Sequence, residues 1–132
     1  MATKTRLIQS LGGFFRNNPL PQIAAVYLYG SRESGDPRPQ SDVDVGVVLK
    51  PGACLSTSEV MKISMEIDDT LSPLETDLKI LNDLPVHVAH NILRHAKLVY
   101  CADEIADADF REHLIAQYFE MKPLLEEFYK TL

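Results

Sequence analysis

Cysteine is scarce in this chain. Cys54 and Cys101 are the two in 132 residues, too few for the disulfide framework of a small secreted fold, and they read as small core or near-surface residues rather than metal ligands. Basic charge is also short. With 13 Lys and Arg against 19 Asp and Glu, the formal charge is -6, which argues against direct nucleic-acid binding, because a broad binding face needs a basic surface. No apolar run approaches the ~20 residues of a membrane span, and no secretory signal stands out. A cytoplasmic location without a membrane partner is the expectation. Internal repeats, linkers and low-complexity stretches are missing too, so the length implies a single domain over 1–132 with a core of its own. At 45% hydrophobic and 24% charged residues, the composition is that of a folded globular protein.

What is present can be read as alternating elements. Leu7, Ile8, Leu11, Phe14 and Phe15 form a helical stripe, weakened by Gly12-Gly13 and stopped by Asn17-Asn18-Pro19. Ile23 to Tyr29 is an apolar segment opened by Pro19 and Pro21, and its length favours a buried strand. Val43, Val45, Val47 and Leu49 alternate with Asp42, Asp44, Gly46 and Val48, a period-two strand. Ser56 with Glu59 three residues on predicts a capping box. The helix behind it carries Val60, Ile63, Met65 and Ile67 towards Leu71 and ends at Ser72-Pro73. A third strand spans 76–82, a short helix follows Asp83-Leu84-Pro85, a strand spans Lys97–Cys101, and a long helix runs from about Asp107 to Tyr129. In that helix Leu114, Tyr118, Met121, Leu125, Phe128 and Leu132 follow steps of four and three, a coiled-coil-like seam. Ile115, Phe119 and Leu124 broaden it and Pro123 bends it. Such a helix packs on the sheet or presents a partner-binding face.

The chemistry concentrates between the first two strands. Gly30-Ser31 is followed by ten residues rich in turn formers and then by Asp42-Val43-Asp44. Glycine lets the backbone approach a phosphate, and the Ser31 hydroxyl can bond a phosphate oxygen. Side chains two apart on a strand share a face, so Asp42 and Asp44 point the same way and can converge on divalent ions. A P-loop is excluded, since no Gly-Lys-Ser/Thr closes the glycine stretch. A calcium loop fits poorly, because valines follow within a strand pattern and Gly46 comes fifth from Asp42 rather than sixth. A lone Asp-x-Asp also reads as a solvated face. Arg32 and Arg38 read either as triphosphate partners or as loop charge. His87 and His90 are three apart with no third ligand and read as surface histidines.

Gly30-Ser31, the ten-residue spacer and Asp42-x-Asp44 together resemble the signature of the nucleotidyltransferase superfamily that includes DNA polymerase beta. The stretch YLYGSRESGDPRPQSDVDVGVV looks most like the minimal nucleotidyltransferases called MNT domains. The likeness continues through Thr76-Asp77-Leu78-Lys79-Ile80-Leu81-Asn82, which looks like the strand carrying the family's third carboxylate, and through 91–100 and 118–125. It implies an α+β nucleotidyltransferase fold, a small mixed sheet with helices packed on it and a long C-terminal helix. It also implies catalysis by Asp42, Asp44 and Asp77 holding two Mg2+ ions, with Gly30, Ser31 and Arg32 on the nucleotide and ATP as substrate. If the strand of Asp77 lies beside that of Asp44, the parity of 76–82 leaves Asp77 with Lys79 and Leu81 on the face opposite Leu78 and Ile80. The other reading of Asp77 is a strand-edge charge.

MNT domains commonly act as antitoxins paired with a helical HEPN ribonuclease toxin, transferring AMP from ATP to a toxin tyrosine. The resemblance therefore implies a HEPN-type toxin as partner in a hetero-oligomeric complex. Two other functions stay open: an antitoxin that neutralises by binding alone, and a nucleotidyltransferase acting on a small molecule of the aminoglycoside type. Two departures from the family are mild. Glu33 stands where relatives often have a small residue, and Lys79 adds an ammonium that can pair with a carboxylate.

Overall fold

The computed structural model describes residues 4–30 and 43–132. Its elements in chain order are α1 (Lys4–Asn17), β1 (Ile23–Tyr29), β2 (Val43–Leu49), α2 (Thr57–Leu71), β3 (Thr76–Ile80), α3 (Val86–Leu93), β4 (Lys97–Cys101) and α4 (Glu104–Lys130), with a 3-10 turn at Leu81–Asp83. The strands form one mixed sheet in the order β3-β2-β1-β4. β1 runs antiparallel to both β2 and β4, whereas β2 and β3 are parallel. This is the α+β class expected, and helices cover both faces.

Strand parity divides the core in two. Val26, Leu28, Val43, Val45 and Val47 turn to the face covered by α1 and α2, where they meet Leu11, Phe15, Ile63 and Ile67. Ala25, Tyr27, Val48 and Leu81 lie in the second cluster with Ala106 of α4 and, at its margin, Ile92 and Leu93 of α3. β1 is buried along all but its last residue, as its unbroken apolar run requires. Gly12 does more than weaken α1. A Cβ there would stand 2.8 Å from the Val99 carbonyl oxygen, so its absence lets the helix lie directly against β4.

The helix starts follow local hydrogen bonding. Ser56 Oγ accepts from the Glu59 amide at 3.1 Å and Glu59 Oε1 accepts from the Ser56 amide at 3.0 Å, the reciprocal box expected. Hydrogen bonding from the Ser56 backbone amide, and then from its side chain, holds the Glu59 carboxyl below its ordinary pKa. Met65 departs from the expectation. It is 63% exposed, because its position two residues past Ile63 puts it across the helix from Val60, Ile63, Ile67 and Leu71. The strand expected over 76–82 closes at Ile80 and becomes a 3-10 turn, in which Asn82 Oδ1 accepts from the Leu49 amide at 2.8 Å.

α4 begins three residues before the expected Asp107. Asp103 caps it, its Oδ1 accepting from the Ala106 amide at 3.0 Å. Asp107 has a different task. It is buried, and its carboxylate accepts the Tyr27 hydroxyl at 2.7 and 2.8 Å and the Arg111 Nε–H at 3.1 Å. This network ties α4 to the middle of β1. Tyr27→Phe is expected to cost about 1–3 kcal/mol, because it removes a hydrogen bond from a buried carboxylate. Urea denaturation of the two chains measures it.

Candidate active site

β1 ends in a backbone conformation that few side chains tolerate. Gly30 has φ +81°, in the left-handed region open to glycine. A Cβ at this position would fall on Asp44 Oδ2, so the turn and the β2 carboxylate are in direct contact. The register explains the closeness. Tyr29 pairs with Asp44 across the antiparallel β1–β2 ladder, and Asp44 pairs with Asp77 across the parallel β2–β3 ladder. Tyr29, Asp44 and Asp77 therefore form one row across three strands and leave the same face of the sheet. Adjacent strands are about 4.8 Å apart, which puts the two carboxylates within reach of a shared cation.

The electrostatics agree with that row. The Tyr29 phenol is pushed up to about 12, first by burial and then by the charges of Asp44 and Asp77. Its hydroxyl is buried without a hydrogen-bond partner among the described residues. In the next row on the same face, Tyr27 lies opposite Gly46 and Gly46 opposite Lys79. Lys79 Nζ lies 3.1 Å from Asp77 Oδ2, the pairing its position two residues further along β3 allows.

Of the expected site residues, Gly30, Asp44 and Asp77 are brought together. Asp77 stands on a rim strand with Asp44 as its neighbour, and Leu78 and Ile80 turn the other way into the α1–α2 core. Ser31, Arg32 and Asp42 lie outside the described residues, as do Glu33 and Arg38. Among the described residues no three His, Cys, Asp or Glu side chains gather as a metal-binding group. Two neighbouring carboxylates still fit a hard divalent cation, since like charges this close are relieved by a positive ion.

The histidines expected at the surface divide. His87 is exposed, while His90 stacks on Tyr118 of α4 with centroids 3.7 Å apart and planes 8° from parallel. Burial, and then the Arg94 guanidinium, lowers the His90 pKa.

A sequence profile of the polymerase beta nucleotidyltransferase domain matches residues 9–105. The chain belongs to that family. Its fold is also similar to that of solved structures from toxin–antitoxin complexes. One is a toxin–antitoxin with AMP-PNP, at 18% identity and TM-score 0.73, with 92% of this chain and 98% of the other covered. Another is an MNT antitoxin in complex with the tri-AMPylated HEPN toxin of Shewanella oneidensis, at 16% identity and TM-score 0.69, covering 96% and 99%. A third is the toxin–antitoxin MntA-HepT, at 16% identity and TM-score 0.68, covering 95% and 98%. A comparison with curated proteins gave no match. Among the described residues no helix of this nucleotidyltransferase is long and apolar enough to cross a membrane.

Two residues of the site region escape a reading of the sequence. Tyr29 reads as one more apolar strand position until the register sets it opposite Asp44. Asp107 reads as a helix start until Tyr27 is seen to bond it. Tyr29 yields a direct test. Tyr29→Phe removes a buried hydroxyl that lacks a partner among the described residues, so stability at neutral pH should be unchanged or higher by up to about 1 kcal/mol. Alkali sharpens the contrast. Burial, then the Asp107 hydrogen bond, raises the Tyr27 phenol even further than Tyr29, so both folded-state values exceed the unfolded one near 10. The unfolded chain loses these protons first. Stability should hold below pH 10, fall as pH rises through 10 towards 12 and beyond, and fall less steeply in Tyr29→Phe.

Proposed function

We propose that this nucleotidyltransferase is an antitoxin that transfers AMP from ATP, with Mg2+, to a tyrosine hydroxyl of a HEPN ribonuclease toxin. The observation that carries the reading is the in-register pairing of Asp44 with Asp77 beside the Gly30 turn. Support comes from the shared fold of the antitoxin seen with a tri-AMPylated HEPN toxin and of the complex with AMP-PNP.

Asp42, Asp44 and Asp77 would hold the magnesium, which when bound would neutralise charge developing on the phosphates and lower the pKa of an acceptor hydroxyl. Gly30 would admit the phosphates, and Ser31 and Arg32 would serve as further nucleotide-binding residues. Asp77 accepts the proton of the acceptor tyrosine as its oxygen attacks the α-phosphorus. The bond from that phosphorus to the bridging oxygen breaks, pyrophosphate leaves, and the tyrosine becomes a phosphodiester of AMP. The added bulk and negative charge would oppose RNA binding at the toxin. The reading includes a single domain acting in the cytoplasm within a hetero-oligomeric complex.

A second reading, neutralisation by binding alone, draws on α4. Ile115, Phe119, Leu124, Phe128 and Tyr129 are all exposed on it, more apolar surface than a solvated helix needs. Incubating the purified chain with α-labelled ATP, Mg2+ and the product of its neighbouring gene separates the possibilities. Label on that protein with release of pyrophosphate is the expected result. A tight unlabelled complex would establish occlusion instead, and label only on a small hydroxylated compound would point to the aminoglycoside-type alternative.

A further inference from the structure

Lys79 makes an open polar contact among the described residues. Its side chain and that of Asp77 are 42% and 44% exposed, and an ion pair so open to water adds little stability. Its strand partner is Gly46, so it has no cross-strand side chain to pack against there. What the ammonium does touch is Asp77 Oδ2, at 3.1 Å. That oxygen belongs to the carboxylate that would serve a divalent cation, and it carries a resident monovalent one.

We propose that Lys79 is a built-in competitor for the divalent ion at Asp77. The inference rests on the reading of these carboxylates as a metal site. In the metal-free chain the ammonium neutralises Asp77 and holds it in one rotamer. A divalent cation, alone or with a nucleotide, has to displace that ammonium to bind the carboxylate. Lys79 thereby sets the cation concentration at which the third carboxylate joins the site. The opposing charge is large enough to matter. A dipositive ion and an ammonium about 6 Å apart in water repel by enough to weaken binding about tenfold. Being exposed, the effect is also screened by salt.

The test uses Mn2+ as the probe, with the full chain and without nucleotide, followed by electron paramagnetic resonance or calorimetry. Lys79→Met keeps the length of the side chain and removes its charge, and at low ionic strength it should bind Mn2+ about five- to tenfold more tightly than the parent chain. Lys79→Arg should stay near the parent value. The advantage of Lys79→Met should shrink in ~1 M salt and vanish in an Asp77→Asn background. Equal or weaker Mn2+ binding by Lys79→Met at low salt overturns the proposal while leaving the metal site standing. Failure of both chains to bind Mn2+ while folded, as judged by circular dichroism, removes the metal site and the proposal together.

Discussion

Asp44→Asn is expected to lose the proposed AMP transfer by at least about a thousandfold while folding as the parent does. The size follows from its position. Asp44 is the middle member of the row, opposed by Tyr29 on one side and Asp77 on the other, and against Gly30 at the turn. An amide keeps the shape but loses the charge that a cation requires. The substitution carries a second readout that does not depend on turnover. Because the Asp44 charge helps to raise the Tyr29 phenol towards about 12, Asp44→Asn should bring the Tyr29 titration back towards 10 in ultraviolet absorbance. Labelled transfer to the proposed acceptor protein measures the first effect and alkaline titration the second. Near-parental transfer by Asp44→Asn would rule out the carboxylate mechanism.

Gly30→Ala should lose transfer by about a hundredfold, the scale expected when reacting groups are displaced by about 1 Å. Two costs combine at this position. The left-handed backbone at φ +81° penalises any Cβ, by about 1–2 kcal/mol, and the new methyl would displace the Asp44 carboxylate. Gly52 separates the two. It has φ +77°, and a methyl added there would meet nothing within 4 Å, so Gly52→Ala bears the same strain without touching the site. Urea denaturation should show a loss of stability in both variants, larger in Gly30→Ala because of the added clash, with turnover impaired only in Gly30→Ala. Equal turnover in the two would mean that the Gly30 turn does not shape the site.

Much of the architecture is legible in the chain because its signals are local. The unbroken apolar run of β1, the valine alternation of β2 and the Ser56–Glu59 box each specify an element from neighbouring residues. The start of α4 is harder to place, because Asp103 caps from outside the apolar seam that locates the helix. Within that seam Leu114 is buried and Tyr118, Met121 and Leu125 are partly covered, but Phe128 and Leu132 are exposed. Periodicity identifies a face, whereas the reach of neighbouring elements decides how much of it is covered. The same distinction holds at the site. Parity predicts that Asp77 and Lys79 share a face, but only pairing between strands can set Asp77 on one side of Asp44 and Tyr29 on the other.

The strand order has a consequence for durability. Among the described strands β3 forms one rim of the sheet, and it contributes Asp77. Rim strands open more readily than those hydrogen-bonded on both sides. Gentle heating should therefore silence the enzyme before its interior melts, with β3 amides exchanging with deuterium ahead of those in β1.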